Sequence, residues 1–235
     1  LGIVIGITSI ILIVSLGEGV QNLILSQIQG VGSKTIAIVP GKMSGSITGM
    51  LATFSDSLKI KDYEDLKNKS NVPHAERVAA VVFGSGAVSY KNEVYRPTIF
   101  GTPDFFTQIF DVYPENGRVF TSEEVSSYAD LVIIGSKVKE ELFGGDDALN
   151  QRVKIKGKNF KIIGIFGKQG KSSFMNFDDV VVIPFTTAQQ YIFGVKYYNR
   201  IIVEVDSEAN VGATVKDITI TLRNNHGITD PEEDD

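Results

Sequence analysis

The chain has 235 residues, 22% of them charged and 9% aromatic, with a formal net charge of −5 and no cysteine. Lack of cysteine excludes disulfides and thiolate metal sites. Five carboxylates fall in the last six residues, Asp230-Pro231-Glu232-Glu233-Asp234-Asp235, and the remaining 23 acidic residues balance 23 basic ones. A neutral body offers no positive field to a phosphate backbone, which argues against nucleic-acid binding.

Residues 1–16, LGIVIGITSIILIVSL, carry no charge, and eleven of the sixteen are Leu, Ile or Val. Such a run reads first as a bilayer segment. At helical rise it spans about 24 Å, short of a hydrocarbon core of about 30 Å. It therefore reads as the C-terminal part of a transmembrane helix. A signal-peptide core would be shorter and flanked by a basic region and a cleavage site; a buried core helix is the other alternative. Residues 17–32 continue the rod with one apolar stripe, Val20, Leu23, Ile24, Ile28 and Val31, on an otherwise polar surface. One stripe on a rod leaving a bilayer calls for a partner helix.

Lys34–Val39 is predicted to be a short strand. Residues 41–57, rich in Gly, Ser and Thr, read as a mobile loop, and 58–69 as a helix with Tyr63 and Leu66 inward. Strand-like runs cover 78–83, 88–90 and 94–100, and a short helix covers 103–110. Thr121-Ser122-Glu123-Glu124 is a capping box. A buried strand at 131–134 precedes a helix from Ser136 to Phe143. A hairpin follows, 152–156 and 160–166, turning at Gly157-Lys158-Asn159. Further elements are a strand at 180–183, a helix capped by Thr186 and ending at Phe193, a strand at 200–205 and a helix over about 209–225. The last helix should bury Val211, Val215, Ile218 and Leu222. Strands and helices alternate without a sustained βαβ period, so the class is α+β with mixed or antiparallel sheets.

Residues 166–172, FGKQGKS, look like a phosphate-binding loop, but position 165 is Ile where the first Gly is required, and a strand follows instead of a helix. There is no G-x-S-x-G. The two histidines, His74 and His226, lie far apart, which makes zinc ligation unfavourable. The pairs Glu123-Glu124, Glu140-Glu141 and Asp178-Asp179 read as solvated faces. Lys154, Lys156, Lys158 and Lys161 read as the protection of an edge strand. The loop 168–178 sets Phe174, Met175 and Phe177 among Gly, Ser and Lys. These three are a candidate partner or substrate surface if exposed, and a lid on the core if buried. No catalytic, cofactor or metal residue is assigned.

The order of short motifs carries a resemblance. A membrane helix runs into Ser15-Leu16-Gly17-Glu18-Gly19, and Gly32-Ser33 leads to a strand ending Val39-Pro40-Gly41. There follow Gly101-Thr102-Pro103-Asp104-Phe105-Phe106, Gly117-Arg118-Val119-Phe120-Thr121 with Glu124, and Ile133-Ile134-Gly135-Ser136 with Leu142-Phe143-Gly144. Gln151-Arg152-Val153-Lys154-Ile155 continues through Gly157 and Phe160 to Ile162-Ile163-Gly164. Ile183-Pro184-Phe185-Thr186-Thr187 and Leu222-Arg223 with His226-Gly227-Ile228 close the set. Asn150 departs from the usual Gly there, and Asn also tolerates a left-handed backbone. In this ordered set the chain resembles the extracytoplasmic domain of MacB-type ABC transporter permeases, within the wider FtsX-like group.

The resemblance implies a truncated transmembrane and stalk helix leading into a two-lobed extracytoplasmic domain. Residues 33–98 and 195–228 would form a porter-like α/β subdomain, 99–194 an inserted, mostly-β sabre subdomain, and 229–235 an acidic linker toward the next membrane helix. It further implies a non-enzymatic cell-membrane permease that transmits ATP-driven conformational change to export or extract an antibiotic, peptide, toxin or lipoprotein. Its partners would be a second permease copy and a cytoplasmic ABC ATPase, with a membrane-fusion adaptor protein as a further candidate. A regulator of cell-wall hydrolases with the same fold is one alternative; a membrane-anchored surface enzyme is another.

Overall fold

The computed structural model describes residues 34–40, 58–168 and 176–230. The expected membrane segment, the stalk stripe (Val20, Leu23, Ile24, Ile28, Val31), the loop 41–57, and Phe174 and Met175 lie outside these residues. The strands are β1 (Thr35–Ile38), β2 (Ala75–Ser85), β3 (Val88–Tyr90), β4 (Glu93–Tyr95), β5 (Thr98–Thr102), β6 (Pro114–Gly117), β7 (Leu131–Ile134), β8 (Arg152–Ile155), β9 (Lys158–Phe166), β10 (Val180–Pro184) and β11 (Arg200–Val205). The helices are α1 (Ile60–Lys67), α2 (Phe106–Phe110), α3 (Ser122–Ser126), α4 (Ser136–Phe143), α5 (Phe185–Thr187, continuing as a π-helix over Ala188–Phe193) and α6 (Val211–His226).

The strands pair in the order β1-β11-β2-β5-β10-β7-β9-β8-β3-β4, with β6 also on β9. Two pairs, β10 with β5 and β7 with β9, are parallel; the others are antiparallel. The mixed sheet agrees with the expected class. The parallel pairs lie mid-sheet, where strands are covered on both faces and read as unbroken apolar runs; all five positions of β10 are buried. Successive residues of β10 feed opposite faces. Val181 and Ile183 join a core with Leu66, Val138, Leu142 and Ile218 from α1, α4 and α6. Val180 and Val182 join a second core with Phe106 and Val125 from α2 and α3.

Strand β2 is the longest element of the sheet. Its first part, Ala75–Val81, pairs with β11, and its last four residues, Val82–Ser85, pair with β5. The handover is stapled by buried Asn199. Its backbone N–H donates to the Val81 carbonyl at 3.0 Å, and its side-chain oxygen accepts from the Phe83 N–H at 2.8 Å. The hairpin β3–β4 is hydrogen-bonded to β8. Its Tyr90 also stacks on Phe143 of α4 at 4.0 Å between ring centroids.

Several local expectations stand. Thr121 and Glu124 form the capping box, and β8–β9 is a hairpin. Its turn is shifted from the expected Gly157-Lys158-Asn159 to Lys156-Gly157, with φ of 48° and 88°, the two-residue turn that matches strand twist; Lys158 and Asn159 already belong to β9. Others are corrected. Strand β8 is not an edge, since β9 and β3 flank it; the lysines there serve other contacts. Lys158 Nζ lies 2.9 Å from Asp130 and 3.9 Å above the Tyr191 ring, and Lys156 donates to the Ile192 carbonyl at 2.9 Å. Thr186 does not cap α5, which already begins at Phe185; its hydroxyl donates to the Val125 carbonyl. Nor does Ser136 cap α4: Gly135 holds that position, and Ser136 donates to Asp178 at 3.2 Å.

The inward face of α6 is also corrected. Thr214, Ile218 and Thr221 are buried, whereas Val215 is 43% exposed. The two threonines bury their hydroxyls by donating to carbonyls four residues back, Asn210 and Asp217, each at 2.8 Å. Once satisfied in this way, they pack like small apolar residues. Val215 turns instead toward a groove, whereas Leu222 packs against the first core, as expected, and also lines that groove.

Candidate functional site

Strand β1 follows directly on the segment expected to reach the membrane, so its surroundings are the first place to look for function. It pairs with β11, and α6 lies beside it. Between β1 and α6 runs a groove of about 280 Å³, floored by Ile36, Ile38, Ile218 and Leu222 and rimmed by Val215 and Ile228. At one end the groove is lined by His226, which is held from behind by Asp62 of α1, only 1% exposed. Oδ2 of Asp62 accepts from the Lys59 N–H at 2.7 Å and faces His226 Nε2 at 3.1 Å; Oδ1 accepts from the Asn225 amide at 3.0 Å. This knot ties the start of α1 to the end of α6. In the sequence His226 stands out only as one of two distant histidines, and Asp62 carries no signal beyond its place in the first turn of a helix.

At the other end of β1, Lys34 donates to the Asp206 carbonyl at 3.1 Å. His74 Nδ1 lies 2.9 Å from Asp206 Oδ2, and the Asn210 amide donates to Oδ1 at 2.8 Å. The Asn210 amide, then His74, hold the Asp206 carboxyl below the usual carboxylate range. The cluster looks like part of a hydrolytic triad, but His74 is bonded to Asp206 and Asn210, not to a serine or threonine. It fastens the loop before β2 to the loop after β11.

A third feature spans α1 and α5. Tyr63, Tyr198 and Phe185 form an aromatic triangle with centroid separations of 5.5, 6.1 and 6.3 Å. Burial pushes both tyrosine hydroxyls up to about 12, above the ordinary value near 10. The folded state therefore keeps protons that the unfolded chain gives up. Their contribution to stability is complete below about pH 10 and is lost as pH rises through about 12. The expected result is a urea midpoint that falls more steeply over that window in the native chain than in the Tyr63→Phe, Tyr198→Phe double variant.

The paired carboxylates do not converge on a reaction site. Glu124 closes the capping box and forks onto Arg118 at 2.6 and 2.7 Å. Asp178 holds Ser136, and Asp179 binds Tyr95 at 2.8 Å and Lys137 at 3.1 Å. Of the candidate surface, Phe177 follows the lid alternative and not the partner-surface one. It is 1% exposed, with Phe166 and Phe110 edge-on at 5.7 and 6.0 Å. A turn that begins at Asn176 drives it into the second core. The backbone of that turn lies so close to Gly135 that a Cβ there would stand 2.3 Å from the Asp178 carbonyl oxygen and 2.5 Å from that of Phe177.

A mixed sheet with a long helix beside its first strand agrees with the family comparison. A model described as the MacB-like periplasmic core domain matches residues 1–220. The chain belongs to this family. Among curated relatives, the macrolide export ATP-binding/permease proteins MacB of Wolinella succinogenes and Chlorobium phaeobacteroides are 31% and 32% identical over 97% and 99% of the chain. This MacB-like domain spans about a third of those relatives, 34% and 35% of their lengths. The crystal structure of the periplasmic region of MacB from Actinobacillus actinomycetemcomitans shares the fold, with a TM-score of 0.73 at 21% identity, covering 85% of this chain and 87% of that one. The extracellular domain of the noncanonic ABC-type transporter YknZ from Gram-positive bacteria matches with a TM-score of 0.66 at 24% identity over 82% and 95%. Among the described residues of the MacB-like domain, no helix is long and apolar enough to cross a membrane; residues 1–16 lie outside them.

Proposed function

We propose that this chain is the extracytoplasmic domain of a cell-membrane ABC transporter permease, and that it transmits ATP-driven conformational change to the export or extraction of a substrate. The observation that carries the reading is the family match over residues 1–220, together with relatives named as macrolide export ATP-binding/permease proteins over nearly the whole chain. ATP hydrolysis belongs to a cytoplasmic ATPase domain or subunit. The permease works as a dimer with a second copy, and an adaptor protein is a further partner. The apolar stripe Val20, Leu23, Ile24, Ile28 and Val31 packs stalk against stalk. The competing reading, a regulator of cell-wall hydrolases, differs in what the outer domain touches, not in how motion reaches it.

The domain works as two lobes. One holds β1, β11, the first part of β2, α1 and α6; the other holds the remaining strands. Support comes from the handover within β2. Pairing of the hairpin 88–95 with β8 supports grouping it with the second lobe, with the crossing inside β2 in place of the expected boundary at residue 98. The Asn199 staple and the aromatic triangle sit where the lobes meet.

The test is coupling in the full-length transporter. Leu23→Asp and Ile28→Asp each place a charge in an apolar seam, which is costly. ATP hydrolysis should persist while macrolide export falls by about tenfold or more, as expected when packing worth at least about 1.4 kcal/mol is lost. Unchanged export in both variants would sink the stalk reading. Loss of cell-wall hydrolase activation, with no exported compound found, would favour the regulator.

A further inference from the structure

A third apolar cluster lies on the face of the sheet turned away from α1 and α6. Side chains alternate along β11. Ile201 and Val203 join the first core, so Arg200, Ile202 and Glu204 point to the other side. The register sets Arg200 opposite Val81, Ile202 opposite Ala79 and Glu204 opposite Arg77. Phe83, the next residue of β2 on this face, stands opposite Phe100, with ring centroids 5.4 Å apart. Helix α2 covers part of the patch with Ile109 and Phe110. Phe83, Phe100 and Phe110 are each left only partly buried.

Arg200 is the odd residue on this face. The other cation here, Arg77, is matched by Glu204, with Nε 2.7 Å from the carboxylate. Arg200 instead lies over the Phe83 ring, 5.4 Å from its centroid, a cation–π contact. Its Nε is buried and has no hydrogen-bond partner. Among the described residues no carboxylate pairs with it. Burial alone holds its guanidinium below the usual arginine range, whereas the bond to Glu204 holds that of Arg77 above it. Arginine stays charged even so. A cation half-buried among rings without a counter-charge is a cost to the free protein, and a buried donor without an acceptor calls for a reason. An anion seated on the patch supplies one.

We infer that this face binds an organic monocarboxylate, with its carboxylate held by the Arg200 guanidinium and its apolar body laid across Phe83, Phe100 and Phe110. A planar guanidinium matches a carboxylate with two parallel hydrogen bonds. Charge complementarity selects the ligand. Arg200 is the one unmatched cation of the patch among the described residues, so a single negative charge balances it. A phosphate monoester carries about −1.5 to −2 at neutral pH and would be left in excess. A cationic molecule with the same apolar body is repelled, and a neutral one gains only the apolar contact. That the bound carboxylate is also cargo rests on the permease reading; its binding does not, so the two can fail separately.

The test is calorimetric titration of the full-length protein in lipid nanodiscs, with empty nanodiscs subtracted. The probes are decanoate below its micellar concentration, decanol and decyltrimethylammonium, which share one chain length. Decanoate should bind about tenfold or more tightly than decanol, and decyltrimethylammonium more weakly than either. Arg200→Met should erase the preference for decanoate. Its melting temperature should be no lower than that of the native protein, because a desolvated charge is exchanged for an apolar side chain of similar length. Absence of decanoate binding in the native protein overturns the inference. So does a preference for decanoate that survives in Arg200→Met. Decyl phosphate bound more tightly than decanoate overturns the assignment to a monocarboxylate. A melting temperature lowered by more than about 5 °C in Arg200→Met also overturns it, and would make Arg200 a structural residue.

Discussion

Replacing Phe177 by alanine is expected to cost about 3–5 kcal/mol, the range for truncating a buried aromatic. The ring is enclosed on the second core face by Phe166, Phe110 and Val180. Removing it opens a void that the turn behind it cannot close, because that turn is pinned against Gly135. For a chain of this size the melting temperature should fall by about 10 °C, with secondary structure retained below the transition. A melting temperature within about 2 °C of the native value would mean that the side chain is not enclosed. The partner-surface reading of this loop now rests on Phe174 and Met175 alone. Phe174→Ser, made with Phe177 intact, is the variant that isolates it.

The second large effect is expected at Asp62. Asp62→Ala strips three donors of their acceptor at once: the Lys59 N–H, the Asn225 amide and the His226 ring. Breaking a buried charged cluster from one side typically costs about 3–5 kcal/mol. Asp62→Asn keeps an oxygen for the Lys59 N–H and should lose less. Urea unfolding at pH 7 checks both, and the order matters more than the size. If the alanine and asparagine variants are equally stable, the carboxylate does not hold α1 to α6.

What the sequence disclosed and what it withheld divide along a physical line. The capping box at Thr121, the β8–β9 hairpin and the buried run of β10 rest on neighbours in the chain, and each was legible. Pairings between distant segments were not. Nothing in residues 75–85 signals that β2 serves two neighbours in turn, and nothing in 88–95 points to β8. The face of α6 misled for a different reason. Threonines at 214 and 221 read as polar until their hydroxyls are seen bonded to the helix's own carbonyls. Phe177 stayed open between surface and lid because composition placed it in a Gly/Ser/Lys loop, whereas the local turn at Asn176 decides which way it points. The lysines of the hairpin read as an exposed edge because the strand that covers β8 lies far away in sequence.

These features bear on how force could cross the domain. The first connection enters at Lys34, and β1 passes load through a hydrogen-bonded ladder to β11 and then to β2. From there the same strand continues into the ladder with β5, with Asn199 holding the junction. Under the proposed two-lobed, stalk-driven reading, a ladder loaded in this way would carry a displacement at the stalk into the outer lobe.

If the proposed function holds, the nucleotide state of the ATPase is felt by this domain. The most direct measurement places spin labels on the cysteine-free domain at exposed Lys216 and Glu140, one site at a time, in the reconstituted full-length dimer. Inter-protomer distances are then compared without nucleotide, with a non-hydrolysable ATP analogue, and after hydrolysis. The distance at each site is expected to change reversibly with nucleotide, and to stop changing in Ile28→Asp although ATP is still hydrolysed. Distance distributions that are the same in every nucleotide state, in a preparation that hydrolyses ATP, would contradict it.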